Sequence, residues 1–148
     1  AGQQEYYEEP DAVVAYEDTV PHLDNRWYLQ GVWRNESEAI VHARETENLE
    51  DYLVLPFLAR SVNVVIDPVE PEPFDVVIEI DDRPLEKHEA GGDIIWDGDG
   101  RSVLRVDEAR EYGIVELDEF GDHELKLRSN SASLAIFAFT FGVNTEGA

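Results

Sequence analysis

The side chains best suited to ligand chemistry in this chain are aromatic rings that lie near carboxylates. Trp96 stands in a polar loop with Asp93, Asp97 and Asp99 around it. A flat apolar ring can stack on the CH face of a sugar, while neighbouring carboxylates accept hydrogen bonds from its hydroxyl groups. The candidate ligand-binding residues are Trp96, Trp27, Trp33 and Tyr112. The alternative is that these rings pack in the core or at its rim.

The loop around Trp96 also has the composition of a calcium site. Asp93, Asp97 and Asp99 are closely spaced, and Gly98 and Gly100 make the loop flexible. Calcium is bound by about six to eight oxygens, which carboxylates supply. The spacing departs from an EF-hand loop, because an arginine stands where a third acid would fall. A hairpin turn explains Asp-Gly-Asp-Gly equally well, and the sequence predicts no cofactor other than this structural calcium.

Catalytic chemistry has little support in the sequence. The chain has no cysteine, which excludes thiol catalysis, disulfides and iron–sulfur clusters within it. It has no nucleophile elbow, zinc-protease motif or phosphate-binding loop. With 34 acidic residues among 148, a pair of neighbouring carboxylates carries no information. We therefore expect that the chain is not an enzyme, and an acidic enzyme is the least favoured class.

The charge of the chain excludes several partners. The net charge is −23 and the isoelectric point is near 4.2, so neither nucleic acid nor an anionic membrane surface is expected to bind. No apolar run approaches the ~20 residues of a membrane-spanning helix, which predicts no membrane insertion in this segment. Only Lys87 and Lys126 are lysines. An acidic, lysine-poor surface is typical of proteins from high salt, although it is also simply a soluble surface.

The elements that must position these residues are strands. Residues 62–66, 76–80 and 123–128 alternate apolar with polar positions, which indicates strands with one buried face. The pattern around Gly121 and Asp122 predicts a turn between two strands. Residues 134–142 are apolar on both faces, which predicts a central strand between two layers. Roughly eight to ten short strands and no helix predict an all-β, antiparallel β-sandwich of the jelly-roll type.

The chain divides into three predicted parts. Residues 1–22 are acidic and contain one short apolar run between prolines, which indicates a linker or docking segment with a short helix or an edge strand. Residues 23–142 form the predicted jelly-roll domain. Residues 143–148 are a tail.

Four segments together resemble a known module. Residues 25–33 match that module's W-x-L-x-G-x-W segment, Asp-Asp-Arg-Pro-Leu at 81–85 with residues 90–93 resembles its D-G-x-P turn and following G-x-D, Arg-Glu-Tyr-Gly-Ile-Val at 110–115 resembles its R-L-Y-x-L-V strand, and residues 121–125 and 138–142 resemble its last two strands. In this order they resemble the C-terminal jelly-roll domain, similar to carbohydrate-binding modules, of DipZ-type cytochrome c biogenesis and thioredoxin-family proteins. The resemblance covers residues 25–142.

The resemblance implies a non-catalytic accessory domain, extracytoplasmic (periplasmic or at the cell surface) and associated with a thioredoxin-like redox protein. The chain has no Cys-x-x-Cys, so a redox role would belong to another domain or polypeptide. Two functions remain open. One is recognition of a glycan or a cell-envelope ligand on an exposed aromatic ring. The other is a structural domain that docks on a thioredoxin-like partner and orients it, with no small-molecule ligand.

Overall fold

Two strands of this domain, of 15 and 20 residues, are much longer than the others. The structure, a computed structural model, describes residues 12–16, 28–36 and 39–142. Within these residues the strands are β1 Ala12–Tyr16, β2 Tyr28–Asn35, β3 Ile40–His42, β4 Tyr52–Ile66, β5 Phe74–Ile80, β6 Arg83–Pro84, β7 Ile94–Trp96, β8 Ser102–Val106, β9 Arg110–Ser129 and β10 Ala135–Gly142. A 3₁₀ turn spans Lys87–Glu89, and no helix in the described part has the length and hydropathy to cross a membrane.

All strand pairs in the described part are antiparallel and belong to one sheet. The order is β1-β2-β3-β10-β4-β9-β5-β8-β7, with β6 paired to β5. An additional pairing of β2 with β4 gives one end of the sheet a barrel-like closure. The predicted all-β antiparallel sandwich is confirmed. The closure was not predicted, because it depends on which strands meet and not on any local pattern.

The core lies on the inner face of the two longest strands. In β4 the buried positions Val62, Val64 and Ile66 alternate with half-buried ones, while Leu53 and Leu55 near its start pair with Leu127 and Leu125 of β9. Strand residues that share a face are two positions apart, so this alternation places the apolar side chains in one layer. Each fully buried side chain of this size contributes about 1.5–3 kcal/mol to stability.

The turn predicted at Gly121 and Asp122 is wrong. Strand β9 is continuous, and Gly121 pairs with Ala59 of β4 while Asp122 pairs with Leu58. A β-bulge lies just before Gly121. Ala59 pairs with Gly121 and Ser61 pairs with Glu116, so the four residues 117–120 of β9 stand opposite Arg60 alone. Gly121 has another role, since a Cβ there would lie 2.8 Å from Nε2 of His123. The glycine makes room for the imidazole ring of His123. In the sequence, a glycine needed for space looks the same as a glycine in a turn.

The burial predicted for both faces of the last strand is also wrong. Strand β10 lies between β3 and β4, but only Ala135 and Ile136 at its start are buried. Pairing with β3 covers only these two residues, so beyond Ile136 the strand has β4 as its one partner in the described part. Its outer side chains therefore meet solvent and not a second layer.

The N-terminal segment supplies a strand to the sheet. Strand β1, within the predicted linker 1–22, pairs with residues 31–35 of β2. Of the two structures predicted for this segment, a short helix or an edge strand, β1 is the edge strand. The predicted tail 143–148 lies outside the described residues, and the domain bounds stay a prediction.

A buried ionic cluster fixes the junction of β2, β3 and β4. The Asp51 carboxylate accepts hydrogen bonds from His42 Nε2 (2.9 Å) and from Arg44 Nε (2.7 Å), and also from the Val32 amide (3.3 Å). Burial alone would raise the pKa of Asp51, but the hydrogen bonds from Arg44 and His42 outweigh it and hold that pKa below its usual range. Gly31, with φ +107°, leaves the space that the carboxylate fills.

We expect Gly31→Ala to destabilise the domain by about 2–4 kcal/mol, because a Cβ would overlap the Asp51 carboxylate and the positive φ is strained for alanine. Urea unfolding measures this change. Gly98→Ala is the matched control, since no atom lies within 4 Å of its Cβ position, and it should change stability by less than about 0.5 kcal/mol. Equal losses in the two variants would contradict the proposed role of Gly31.

Candidate binding site

Two of the four candidate aromatic residues are core residues, which corrects their candidate role. Trp33 is fully buried, its Nε1–H donates to the Gln30 carbonyl (2.9 Å), and its ring lies 4.9 Å from that of His42. Tyr112 is also fully buried, and its hydroxyl donates to the Glu108 carbonyl (2.6 Å). Neither ring offers a face to a ligand. Trp27 lies outside the described residues.

Trp96 keeps a partly exposed ring on the outermost strand, β7. Its exposed fraction is 36%, and its Nε1–H donates to the Leu85 carbonyl at 3.0 Å. That hydrogen bond fixes the ring in one position. Among the candidate aromatic residues that the structure describes, Trp96 is therefore the one with substantial exposure to solvent.

The three carboxylates of the candidate calcium site do not come together. Asp93 accepts from Arg110 (3.0 Å) and from the Gly113 amide (2.8 Å), and its pKa is lowered, chiefly by Arg110. Asp97 closes its own turn by accepting from the backbone amides of Asp99 and Arg101 (both 2.9 Å). Among the residues that the structure describes, no group of three or more metal-ligating side chains is placed to hold a cation.

The contact between Asp93 and Arg110 joins two of the segments that carried the resemblance. Gly91 lies against the backbone of Gly113 so closely that a Cβ would overlap it. The Gly91 amide donates to the Ile114 carbonyl (3.1 Å), and the Asp93 amide donates to the Gly113 carbonyl (3.1 Å). The glycine and aspartate of this motif therefore connect the loop to β9. Their role is architectural.

A cavity that the sequence analysis missed lies where β9 departs from β4. Its volume is about 360 Å³. It is lined by His88 and Glu89 from the 3₁₀ turn, and by residues 117–121 and His123 from β9. The four residues opposite Arg60 form one wall. Bulged strands commonly re-aim side chains beside functional sites, but in the sequence this segment resembles the end of a strand.

One wall of the cavity contains an oriented histidine. His123 Nδ1–H donates to Asp81 Oδ2 (2.7 Å), since a carboxylate accepts hydrogen bonds. Asp81 also accepts from the Glu124 amide (2.9 Å). Asp81 and Asp82 have φ of 53° and 65°, as in a two-residue hairpin turn between β5 and β6, so the predicted turn here is confirmed. This turn places Asp81 beside β9 and leaves Nε2 of His123 as the ring's acceptor.

A bidentate ion pair holds the opposite wall. Arg83 donates from both terminal nitrogens to the two carboxylate oxygens of Glu89, each at 2.8 Å. The Glu86 amide donates to Glu89 as well (2.9 Å). These contacts, the Arg83 hydrogen bond above all, lower the pKa of Glu89 to about 2. The buried Glu89 therefore stays ionised and anchors the 3₁₀ turn.

Comparison with known protein families gives the chain its classification. A family model described as the thioredoxin-like C-terminal domain matches residues 1–142. The chain belongs to the thioredoxin-like C-terminal domain family. This membership associates it with thioredoxin-like proteins. It confirms the general association that the resemblance implied. A search of curated proteins found no match.

The ion pair at Glu89 predicts a dependence of stability on pH. Because the folded pKa, about 2, is below the unperturbed 4.5, the contribution of Glu89 is fully present above about pH 5 and is lost as pH falls through 4.5 towards 2. We expect Glu89→Gln to lower the free energy of unfolding at pH 7 by about 2 kcal/mol. This is less than the full pKa shift would give, because Arg83 is partly exposed and solvent screens the ion pair.

Unfolding by urea at pH 7 and pH 3 measures this effect. More than about half of the difference between the native chain and Glu89→Gln should be gone at pH 3. Glu72→Gln, an exposed glutamate between β4 and β5, is the control and should have little effect at either pH. A difference that stays constant with pH would contradict an ionised Glu89.

Proposed function

We propose that this chain is a non-catalytic accessory domain that docks on a thioredoxin-like domain and orients it. Membership of the thioredoxin-like C-terminal domain family supports the partner. The absence of cysteine leaves the thiol chemistry to that partner. In keeping with the resemblance to DipZ-type proteins, the proposed location is extracytoplasmic.

The observation that carries the proposal is exposed apolar surface around one stretch of β4. Leu58 is 48% exposed and Phe120, beside the residue paired with Ala59, is 46% exposed. Phe141 is also 41% exposed, but its ring stacks on Phe57, so it lies on the other face of β4 from Leu58. Exposed aromatic and aliphatic side chains that lie close together mark protein interaction sites.

Among the described residues, the same stretch of β4 has no strand partner on one side. On the side of β4 away from β9, β2 pairs with residues 52–54 and β10 begins to pair at Ser61. Residues 55–60 therefore have no strand partner on that side in the described part, and Pro56 among them lacks an amide hydrogen. An open strand segment beside exposed apolar side chains suits a partner that contacts both backbone and side chains.

The test is binding of this chain to a thioredoxin-like domain of the same source, measured by titration calorimetry. We expect Leu58→Ser to weaken binding about tenfold, since it removes apolar contact area at the interface. Val69→Ser is the control, because Val69 is also exposed but lies in the connection between β4 and β5. Both variants should unfold like the native chain. Absence of binding, or equal effects of the two substitutions, would refute docking through β4.

A second candidate function is recognition of a glycan at Trp96, supported by its partly exposed ring. We expect Trp96→Ala to abolish any glycan binding found on an array of glycans, while the fold is retained. Binding that survives Trp96→Ala would place the sugar elsewhere. An array without any binder would refute this second function and leave docking unaffected.

A further inference from the structure

The cavity beside β9 presents mainly hydrogen-bond acceptors. His123 lines the cavity and donates through Nδ1 to Asp81, which in a neutral imidazole leaves Nε2 as an acceptor. Asp118 and Glu119 are exposed carboxylates on the wall formed by residues 117–120. A site made of acceptors selects a ligand rich in donors.

The charges around the cavity are unevenly balanced. Glu89 is paired with Arg83, and Asp81 accepts a hydrogen bond from His123. Asp118 and Glu119 have no ion pair with any described residue, although Arg60 lies opposite them on β4. The Nε of Arg60 is buried and has no hydrogen-bond partner in the described part of the chain. Two carboxylates of the cavity therefore have no ion pair within the described part of the chain.

An aromatic ring completes the wall. Phe120 follows Asp118 and Glu119 directly and is nearly half exposed. The face of an aromatic ring attracts a cation, and arginine more than lysine uses this contact in proteins. A volume of about 360 Å³ is within the range of ligand pockets and accommodates a side chain that ends in a guanidinium group.

From these features we propose that the cavity binds a basic side chain, an arginine in the first place, presented by a partner protein. Asp118 and Glu119 accept its N–H groups, His123 Nε2 accepts a further one, and Phe120 packs against the guanidinium plane. The inference deepens the proposed docking function, because Phe120 belongs both to the cavity and to the exposed apolar surface around Leu58.

The test is a titration of the chain with the blocked tripeptide acetyl-Gly-Arg-Gly-amide, followed by ¹H–¹⁵N NMR. We expect saturable shifts of the amides of Gly121 and His123, and no such shifts with acetyl-Gly-Gln-Gly-amide. The double substitution Asp118→Asn with Glu119→Gln should weaken the tripeptide at least about fivefold. Phe120→Leu, which keeps apolar volume but removes the aromatic face, should weaken it severalfold as well.

The control separates a built site from general attraction to an acidic protein. Glu70→Gln with Glu72→Gln changes the net charge equally in the exposed connection between β4 and β5, and should leave binding unchanged. Equal weakening by both double variants, or shifts that do not saturate, would overturn the site. The NMR spectrum itself reports whether each variant is folded.

The same titration distinguishes this inference from the docking function. Leu58→Ser should leave tripeptide binding intact, because Leu58 does not line the cavity. If the tripeptide binds saturably but the thioredoxin-like domain does not bind, the cavity is a site for basic side chains and the proposed docking partner is wrong. Docking that is insensitive to Asp118→Asn with Glu119→Gln would overturn the cavity's role in it.

Discussion

The pairing of β4 with β9 is the constraint on which the rest of this domain depends. The two longest strands pair from Tyr52 with Arg128 to Ile66 with Arg110. Strands β2 and β10 attach to the other side of β4, and β5 attaches to β9. This long ladder fixes the position of every neighbour, and the larger of its two irregularities, at Arg60, is the place where the cavity forms.

The residues that look most like a functional signature are largely architectural. Gly31 provides space for the Asp51 carboxylate, and Gly91 provides it for the backbone of Gly113. Asp93 holds Arg110 and so connects the loop before β7 to the start of β9. Each of these positions admits little change, because an added Cβ or a lost carboxylate leaves an overlap or an unpaired group. Their roles explain the spacing of the motifs without any ligand.

The electrostatics of the domain favour a basic partner. Several arginines are committed to particular carboxylates: Arg44 to Asp51, Arg83 to Glu89 and Arg110 to Asp93. With 11 lysines and arginines against 34 acids, these internal pairs leave most carboxylates on the surface without a fixed cation. The resulting field attracts a basic surface and accelerates its approach, while exposed apolar side chains around Leu58 would supply the contact area.

The sequence by itself determined the class of the fold, since the period-two pattern of residues 62–66 and 76–80 specifies strands with one buried face, and the Asp81–Asp82 turn has a local chemistry. It also indicated the association with thioredoxin-like proteins, because the spacing of glycines and aspartates reflects contacts that the fold requires. Only the tertiary structure decided that Trp33 and Tyr112 are buried, that Gly121 lies within a strand, and that Asp93 and Asp97 face different partners. The cavity at His123 has the same origin. It is lined by residues about 30 positions apart, such as Glu89 and His123, and their proximity depends on strand register, which no local pattern encodes.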